Sequence, residues 1–548
     1  MSQLLHDVSA SYVIGVDVGT GSARAGLFDL QGNMLHVVKQ DITTFQDDNA
    51  RFEQSSENIW QAICTSVKAV VSASALPTKS IVGLSFDATC SLVVMGQDNQ
   101  SLPVGEHGIA ERNVMVWMDQ RATEQARMIN NLGHSVLNYV GNRISPEMQT
   151  PKLLWLKTHL PETYHNAQHF FDLTDYLTFR ASGSLARSIC TVVCKWTYLA
   201  HENRWDNSYF EAIGLEELSA TQFSKIGTDI VPPGTALADG LTDDAAEQLG
   251  LLAGTAVAAG LIDAHAGGVG SVGARTEEGT ASPAECLAYV FGTSACTLTT
   301  SSSATTVPGV WGPYFSAMIP GTWLNEAGQS AAGAAIDHLV SMHPAAPKAS
   351  LLAKDAGFPL SVWLSKQAQT KISHASDAVN LAKNVHVVPE FLGNRAPFAE
   401  PNARAIIAGL DMDKSIDSLI TLYIAGICGL AYGLRQIIEA QANQGLNIAH
   451  VVISGGAGQD PLVRQLIADA IGKEVIAPKA DEPVLLGTAM LAAVAAGKHS
   501  NVESAMRAMS SFGERYPPNL SAEHQKHEGR YLAFLKLQSA ARELQSIC

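Results

Sequence analysis

Two layered α/β domains of similar size, facing one another across a cleft, are the fold this sequence predicts, and three observations predict it. The chain has 548 residues, well beyond the ~250–300 residues at which a single hydrophobic core stops growing. Short apolar β-branched runs alternate along it with stretches of helical apolar spacing. A strand, glycine turn, strand pattern near the N-terminus recurs near the middle. Hydrophobic residues at 46% and charged residues at 16% describe a well-packed globular chain, and 45 glycines point to tight turns and close backbone approaches.

In chain order, Tyr12 to Val18 reads as a strand, Ala23 to Leu30 as a second, and Gln31-Gly32-Asn33 turns the backbone into a third, Met34 to Lys39. This is a glycine-turn meander, not a strand leading into a Rossmann helix. Ser56 to Ser74 has helical spacing, Ile81 to Phe86 reads as a buried strand, and Asp119 to Asn131 as a helix. Over 270–285 the composition turns small and polar after the apolar stretch Thr255 to Val272, and the domain boundary falls there, separating 1–273 from 274–548. The second half begins again with strands, Glu285 to Gly292 and Ala295 to Thr300, around a Gly-Thr turn like that between the first two. Two such hairpins are compatible with an ancient duplication. Ile416, Leu419, Ile420, Tyr423, Ile424 and Ile427 form a helical stripe with Asp413 as candidate cap, leading to a strand from His450 to Ile453.

The balance of 36 basic against 52 acidic residues gives a formal charge of -16 with no basic run, which argues against a nucleic-acid partner. The eight cysteines stand mostly in apolar segments without a C-x-x-C pair, the usage of a reduced, cytoplasmic protein. Cys190 and Cys194 share a helix face, but no second ligand pair follows, so buried free thiols are expected and no protein-held metal is inferred. Neither a signal segment nor an uncharged apolar run of membrane-spanning length is present, so neither export nor membrane insertion is expected.

The chemistry begins at Asp17-Val18-Gly19-Thr20-Gly21-Ser22-Ala23-Arg24. A strand delivers a carboxylate, and the glycines after it let backbone N–H groups and the Thr20 and Ser22 hydroxyls crowd toward an anion, with Arg24 adding charge. A hairpin turn that merely happens to be glycine-rich satisfies the same pattern. Arg24 occupies the third glycine's position of a dinucleotide fingerprint, and the Walker pattern is absent. Gly268 to Gly273 does fit G-x-G-x-x-G, but Asp263-Ala-His-Ala-Gly precedes it instead of a clean strand, so it reads as a helix-packing run. Gly292-Thr293-Ser294 forms a second glycine loop. A third, Ser454-Gly455-Gly456-Ala457-Gly458, joins a strand to a helix that begins near Asp460, where a ligand meets backbone and helix N-terminus. Three such loops spread over both halves suggest a nucleotide clamped in the cleft.

These residues carry a resemblance that covers almost the whole chain. Asp17-Val-Gly-Thr-Gly-Ser, Trp117-Met-Asp-Gln-Arg121, Asp263-Ala-His-Ala-Gly, Phe291-Gly-Thr-Ser, Glu326-Ala-Gly-Gln-Ser, Gly393-Asn-Arg-Ala-Pro-Phe with Pro401-Asn-Ala-Arg404, and Gly455-Gly-Ala-Gly-Gln-Asp together resemble the FGGY carbohydrate kinases. Within that family, Phe86-Asp-Ala-Thr-Cys-Ser91 and Thr191-Val-Val-Cys-Lys-Trp196 are similar to the ribulokinase-like branch, of D-ribulokinase and ribitol kinase type. Xylulokinases and glycerol kinases differ at both places.

The resemblance implies an actin-like pair of ribonuclease-H-like domains, the first binding sugar and the second ATP. It implies Asp263 as the base that takes the proton from the attacking hydroxyl, and Asp17 as the holder of Mg2+, through water. Thr20, Gly21, Ser22 and Arg24 then lie near the γ-phosphate, Gly292 and Thr293 along the phosphate chain, and Gly333, Asp337, Gly456, Ala457 and Asp460 at the nucleotide. Some relatives carry Gln at the Asp337 position and Asn at the Asp460 position, so base and ribose contacts there stay open. For the sugar, the implied contacts are Ala88 through its backbone, Lys195 and Glu326 at hydroxyls or carbonyl, and Asp263 at the reacting hydroxyl. Asp87 is either a contributor or a turn residue. Asp119 and Arg121 either shape the sugar pocket or form an ion pair ahead of a helix.

A helix N-cap is the alternative reading of Asp263, His265 reads as a structural histidine, and Trp117 as a core aromatic. The expected partner is a small sugar or polyol, with D-ribulose first and ribitol second. L-ribulokinase or another FGGY kinase is the alternative, and an actin-like regulatory or chaperone-like ATPase without a sugar the reading from a different class. A chain of this size and charge is compatible with a monomer or a homodimer.

Overall fold

The computed structural model describes residues 10–47, 51–273, 275–276, 279–280 and 282–547. The boundary segment at 270–285 therefore includes positions 274, 277, 278 and 281 that lie outside the described residues.

A six-stranded sheet organises the first half in the order Met34–Asp41, Ser22–Asp29, Tyr12–Val18, Ile81–Ala88, Ala256–Val257, with Leu261–Ile262 also pairing to Ile81–Ala88. The meander is antiparallel, and the strands beyond Tyr12–Val18 are parallel to it. Tyr12–Val18 is buried along its whole length, which is why it reads as a nearly continuous apolar run. The seven-stranded sheet of the second half repeats this plan. Cys286–Phe291 pairs antiparallel with Ala295–Ser301 and parallel with His450–Ser454, as Tyr12–Val18 does with Ser22–Asp29 and Ile81–Ala88. The glycine turns of the two hairpins thus occupy equivalent places.

Two helices cross between the sheets. Asp263–Val272 packs against Pro483–Ala495, and that second helix also backs onto Tyr12–Val18 and Ile81–Ala88. The last third of the chain therefore returns to the first sheet. The approach is close enough to require glycine: a Cβ on Gly270 would lie 1.9 Å from the Pro483 carbonyl oxygen, and one on Gly487 1.9 Å from that of Ala266. The G-x-G-x-x-G run at 268–273 accordingly serves helix packing, as expected from its lack of a leading strand.

Several element boundaries differ from expectation: the strand expected at Ile81–Phe86 runs on to Ala88 and takes in Asp87, and that expected at Met34–Lys39 runs on to Asp41. The helix predicted from Asp119 starts at Thr123 and runs to Leu132, because Asp119 is engaged in a turn, its N–H donating to the Val116 carbonyl. The long apolar helix Ile416–Ala442 is capped by Ser415, with Asp413 two residues back accepting from the Ser415 N–H and hydroxyl. Among the described residues, this helix alone is long and apolar enough to cross a membrane, but 78% of its apolar window is buried within the fold.

Candidate active site

The two hairpin turns face one another across the cleft, and a cavity of about 310 Å³ lies between them. Asp17, Thr20, Arg24, Lys195, Asp263, Gly292, Thr293 and Glu326 line it, so residues predicted from both halves meet in one place. A second cavity of about 850 Å³ is lined by Gly333, Asp337, Gly456, Ala457 and Asp460, and shares Gly292 and Thr293 with the first.

Strand register builds the acidic end. Asp17 stands opposite Arg24 on one neighbouring strand and opposite Asp87 on the other. The Arg24 guanidinium donates to Asp17 and, at 2.8 Å, to Glu482, which leads into the crossing helix. The Thr20 loop is pinned by Gln54 Nε2 at 2.7 Å and the Thr44 hydroxyl at 3.1 Å, both donating to its carbonyl, while Trp117 Nε1 donates to the Thr20 hydroxyl at 3.0 Å. Trp117 packs against the core, as expected, and also forms part of the cavity wall.

Asp263 is the first residue of the crossing helix, and one carboxylate oxygen accepts the Ala264 N–H at 2.7 Å. The N-cap of this helix is Ile262, with no side-chain cap hydrogen bond, so Asp263 stands at the cavity as the first helical residue and not as the cap. Burial, followed by the charge of Asp17, pushes its carboxyl up to about 6, against the pull of the Ala264 N–H, His265 and Lys195. Lys195 comes from the last turn of Ile189–Trp196, and Glu326 from the strand Trp323–Gln329. The two are 3.9 Å apart and almost wholly buried. Burial opposes both charges. The Cys90 thiol and Glu326 nevertheless hold Lys195 well above the usual lysine range, and Lys195, His265 and Arg395 hold Glu326 below the usual carboxylate range. The cavity floor is thus a fixed cation beside a fixed anion.

Four proposed sugar contacts stand elsewhere. Asp87 is fully buried under the site, where it accepts the Thr488 hydroxyl of the crossing helix, and burial with the nearby Asp17 charge raises its carboxyl well above the usual range. Ala88 is also fully buried in its strand, and the next two residues, Thr89 and Cys90, reach the cavity instead. Asp119 and Arg121 form a buried ion pair that ties segments together: Asp119 accepts the Phe52 N–H at 2.7 Å, and Arg121 donates to the Val104 carbonyl at 2.7 Å and to Glu53 at 3.0 Å. Of the first glycine loop, Gly21 and Ser22 are not among the cavity's lining residues, since Ser22 begins the return strand and its carbonyl closes the turn onto the Gly19 N–H.

The cavity also contains residues that the site prediction omitted. Arg395 lies within the quoted Gly393-Asn-Arg motif, where a lone cation amid small and apolar residues was an available signal. Trp311 and Glu147 carried none. The Trp311 ring takes the Lys195 ammonium at 4.8 Å and the Arg395 guanidinium at 5.6 Å from its centroid, an arrangement created by strand pairing with Trp323–Gln329.

In the nucleotide-sized cavity, the Gly333 and Ala334 N–H groups donate to the Gly292 and Thr293 carbonyls, which seats the second hairpin turn on the start of the helix Gly333–Ser341. Asp460 caps the helix Pro461–Ile471 by accepting the Leu462 and Val463 N–H groups through Oδ1. A Cβ on Gly456 would meet nothing within 4 Å, so its backbone faces open space where a ligand can approach.

Comparison with known proteins agrees with this layout. The N-terminal domain model of the FGGY family of carbohydrate kinases matches residues 12–270, and its C-terminal domain model residues 287–496. The chain belongs to the FGGY family of carbohydrate kinases. It is 44% identical over 543 residues to an FGGY carbohydrate kinase domain-containing protein of Homo sapiens, covering 98% of each chain. It is 37% identical over 517 residues to a D-ribulokinase of Saccharomyces cerevisiae, covering 89% of this chain and 72% of that one. A xylulose kinase from Lactobacillus acidophilus superposes with a TM-score of 0.78 at 19% identity, over 97% of this chain and 98% of that one, which shows the shared fold. This FGGY chain is therefore an ATP-dependent sugar kinase of the ribulokinase-like group with the two-domain actin-like fold.

Proposed function

We propose that this kinase phosphorylates a pentulose or pentitol, D-ribulose foremost, with Asp263 as general base. One observation carries the reading: Asp263, Lys195 and Glu326 line a single sugar-sized cavity joined to the nucleotide-sized cavity through Gly292 and Thr293. A nucleotide-dependent regulator without a sugar has no need of that convergence. The similarity to a D-ribulokinase supports the choice of pentulose. Domains divided near 273/274 assign the sugar chiefly to the first half and ATP to the second.

In this reading Lys195 and Glu326 grip hydroxyls or the carbonyl, and Asp263 takes the proton from the attacking oxygen as it bonds to the γ-phosphorus and ADP departs. Thr20 and Arg24 offer hydrogen bonds and charge to the transferred group, positioning and electrostatics being most of phosphoryl-transfer catalysis. Asp17, Asp87 and Asp263 lie close enough that the Asp17 charge raises both others. A carboxylate cluster of this kind suits a divalent cation, which Asp17 would hold and which would neutralise charge on the phosphates.

The test is an ATP-consumption assay against D-ribulose, L-ribulose, ribitol, D-xylulose, L-xylulose and glycerol, with D-ribulose expected to give the highest kcat/KM. An enzyme that ignores D-ribulose and takes xylulose overturns the substrate. Lys195→Met should cost the ketose more than the polyol, because only the ketose offers a carbonyl to the ammonium. A charged hydrogen bond is worth ~1.5–3 kcal/mol, so the ratio of kcat/KM for D-ribulose over ribitol should fall about tenfold or more. Equal losses on both would mean that Lys195 serves a shared hydroxyl.

A pH dependence follows from Asp263. The base works only when ionised, so log kcat/KM should rise with pH through a midpoint near the value of about 6 to which burial moves it, and level off above. An acid limb that stays in the ordinary carboxylate range, or survives in Asp263→Asn, counts against the assignment. At the other cavity, Gly456→Val should fold normally, since its Cβ meets open space, yet weaken ATP about tenfold or more by filling that space. Calorimetric ATP titration reads this out, and unchanged affinity contradicts nucleotide binding there.

A further inference from the structure

Behind the sugar cavity, side chains from three distant segments converge. Cys190 and Cys194 belong to the helix Ile189–Trp196, and His265 to the first turn of Asp263–Val272. One ligand atom from each lies within 4.8 Å of the other two, and all three residues are buried. His265 Nε2 stands 3.8 Å from Cys194 Sγ and 3.6 Å from Glu326 Oε2. Glu326 is 4% exposed, and its Oε2 accepts no hydrogen bond among the described residues. A buried carboxylate oxygen in that condition is costly unless a cation or donor faces it.

Two thiols, an imidazole and a carboxylate are a zinc donor set. Tetrahedral zinc with bonds of about 2.0–2.3 Å has ligand-to-ligand edges of about 3.3–3.8 Å, close to the two separations at His265 Nε2, while Glu326 stands outside the group of ligand atoms mutually within 4.8 Å and must turn toward the sulfurs to complete the tetrahedron. We propose that Cys190, Cys194, His265 and Glu326 form a zinc site whose occupation closes the sugar site. Binding releases the two thiol protons. Two thiolates and the Glu326 carboxylate then balance the dication together with the Lys195 ammonium, which stays 3.9 Å away on the other carboxylate oxygen. The Ile262 N–H donates to Cys190 Sγ at 3.4 Å, an outer contact that supports a thiolate there. Zinc would enter by way of the sugar cavity, which Glu326 also lines. Metal and sugar therefore compete for one carboxylate, a consequence that rests on the sugar role of Glu326 given above, whereas zinc binding itself does not.

The test separates the two. Chelator-treated kinase is titrated with Co2+ and then Zn2+, without nucleotide or sugar. One Co2+ per chain is expected to give thiolate-to-cobalt charge-transfer absorption and the visible bands of tetrahedral cobalt, displaced by one equivalent of zinc. The double variant Cys190→Ser/Cys194→Ser should lose the thiolate band, and His265→Gln should weaken zinc by at least about tenfold. Folded wild-type protein without the thiolate band, or stoichiometric zinc retained by the double variant, overturns the site. In the kinase assay, one equivalent of zinc should raise the apparent KM for sugar and leave that for ATP unchanged. The double variant should keep its basal activity and ignore the metal. Zinc that binds through the cysteines without raising the sugar KM overturns the competition and leaves the site standing.

Discussion

Replacing Asp263 with asparagine is expected to lower kcat by ~10²–10⁴, the usual range for a positioned general base, while the fold and ATP affinity persist. The two readouts separate because Asp263 lines the smaller cavity and is not among the residues lining the nucleotide-sized one. Asparagine preserves size and can still accept the Ala264 N–H, so the helix start should survive. What it lacks is an oxygen basic enough to take the hydroxyl proton. Steady-state kinetics with thermal melting and ATP titration check this, and near-normal turnover in the folded variant would sink the assignment.

A second large effect is expected from a residue that touches no ligand. Gly487→Ala places a methyl 1.9 Å from the Ala266 carbonyl oxygen, inside the contact between the two crossing helices. Overpacking in a core typically costs ~1–3 kcal/mol, and here the obstacle is backbone on a packed helix, so a loss at or above the upper end is expected. Because Ala266 lies three positions from Asp263 on that helix, the surviving folded fraction should also turn over more slowly. Gly529→Ala is the control. It sits exposed in the helix Ala522–Ile547 with nothing within 4 Å of a Cβ, and should gain ~0.5–1 kcal/mol from the helix preference of alanine. Thermal unfolding of both variants decides the matter, and a Gly487→Ala protein that melts with wild type would contradict the packing argument.

Much of this protein was determined by local sequence. The buried strand Tyr12–Val18, its glycine turn and its recurrence at Cys286–Ser301 are short-range patterns, because strand burial and turn chemistry involve neighbours in the chain. Thr20, Arg24, Gly292 and Gly456 were legible for the same reason, as glycine loops at strand ends bring backbone and hydroxyls to a ligand wherever they occur. Lys195, Glu326 and Asp263 came through family resemblance, since nothing in their local spacing announces a sugar. What only the tertiary structure decided depends on groups far apart in sequence. Asp119 and Arg121 look like site residues in their motif, yet Phe52, Glu53 and Val104 draw them into a buried network away from the cavity. Trp311 and Arg395 reach the cavity through cross-strand pairing and a distant loop. Cys190 and Cys194 were two ligands without partners in the linear chain. His265 joins them only because the crossing helix packs there, with Glu326 of the strand Trp323–Gln329 3.6 Å from its imidazole, and no one-dimensional pattern records a convergence of that kind.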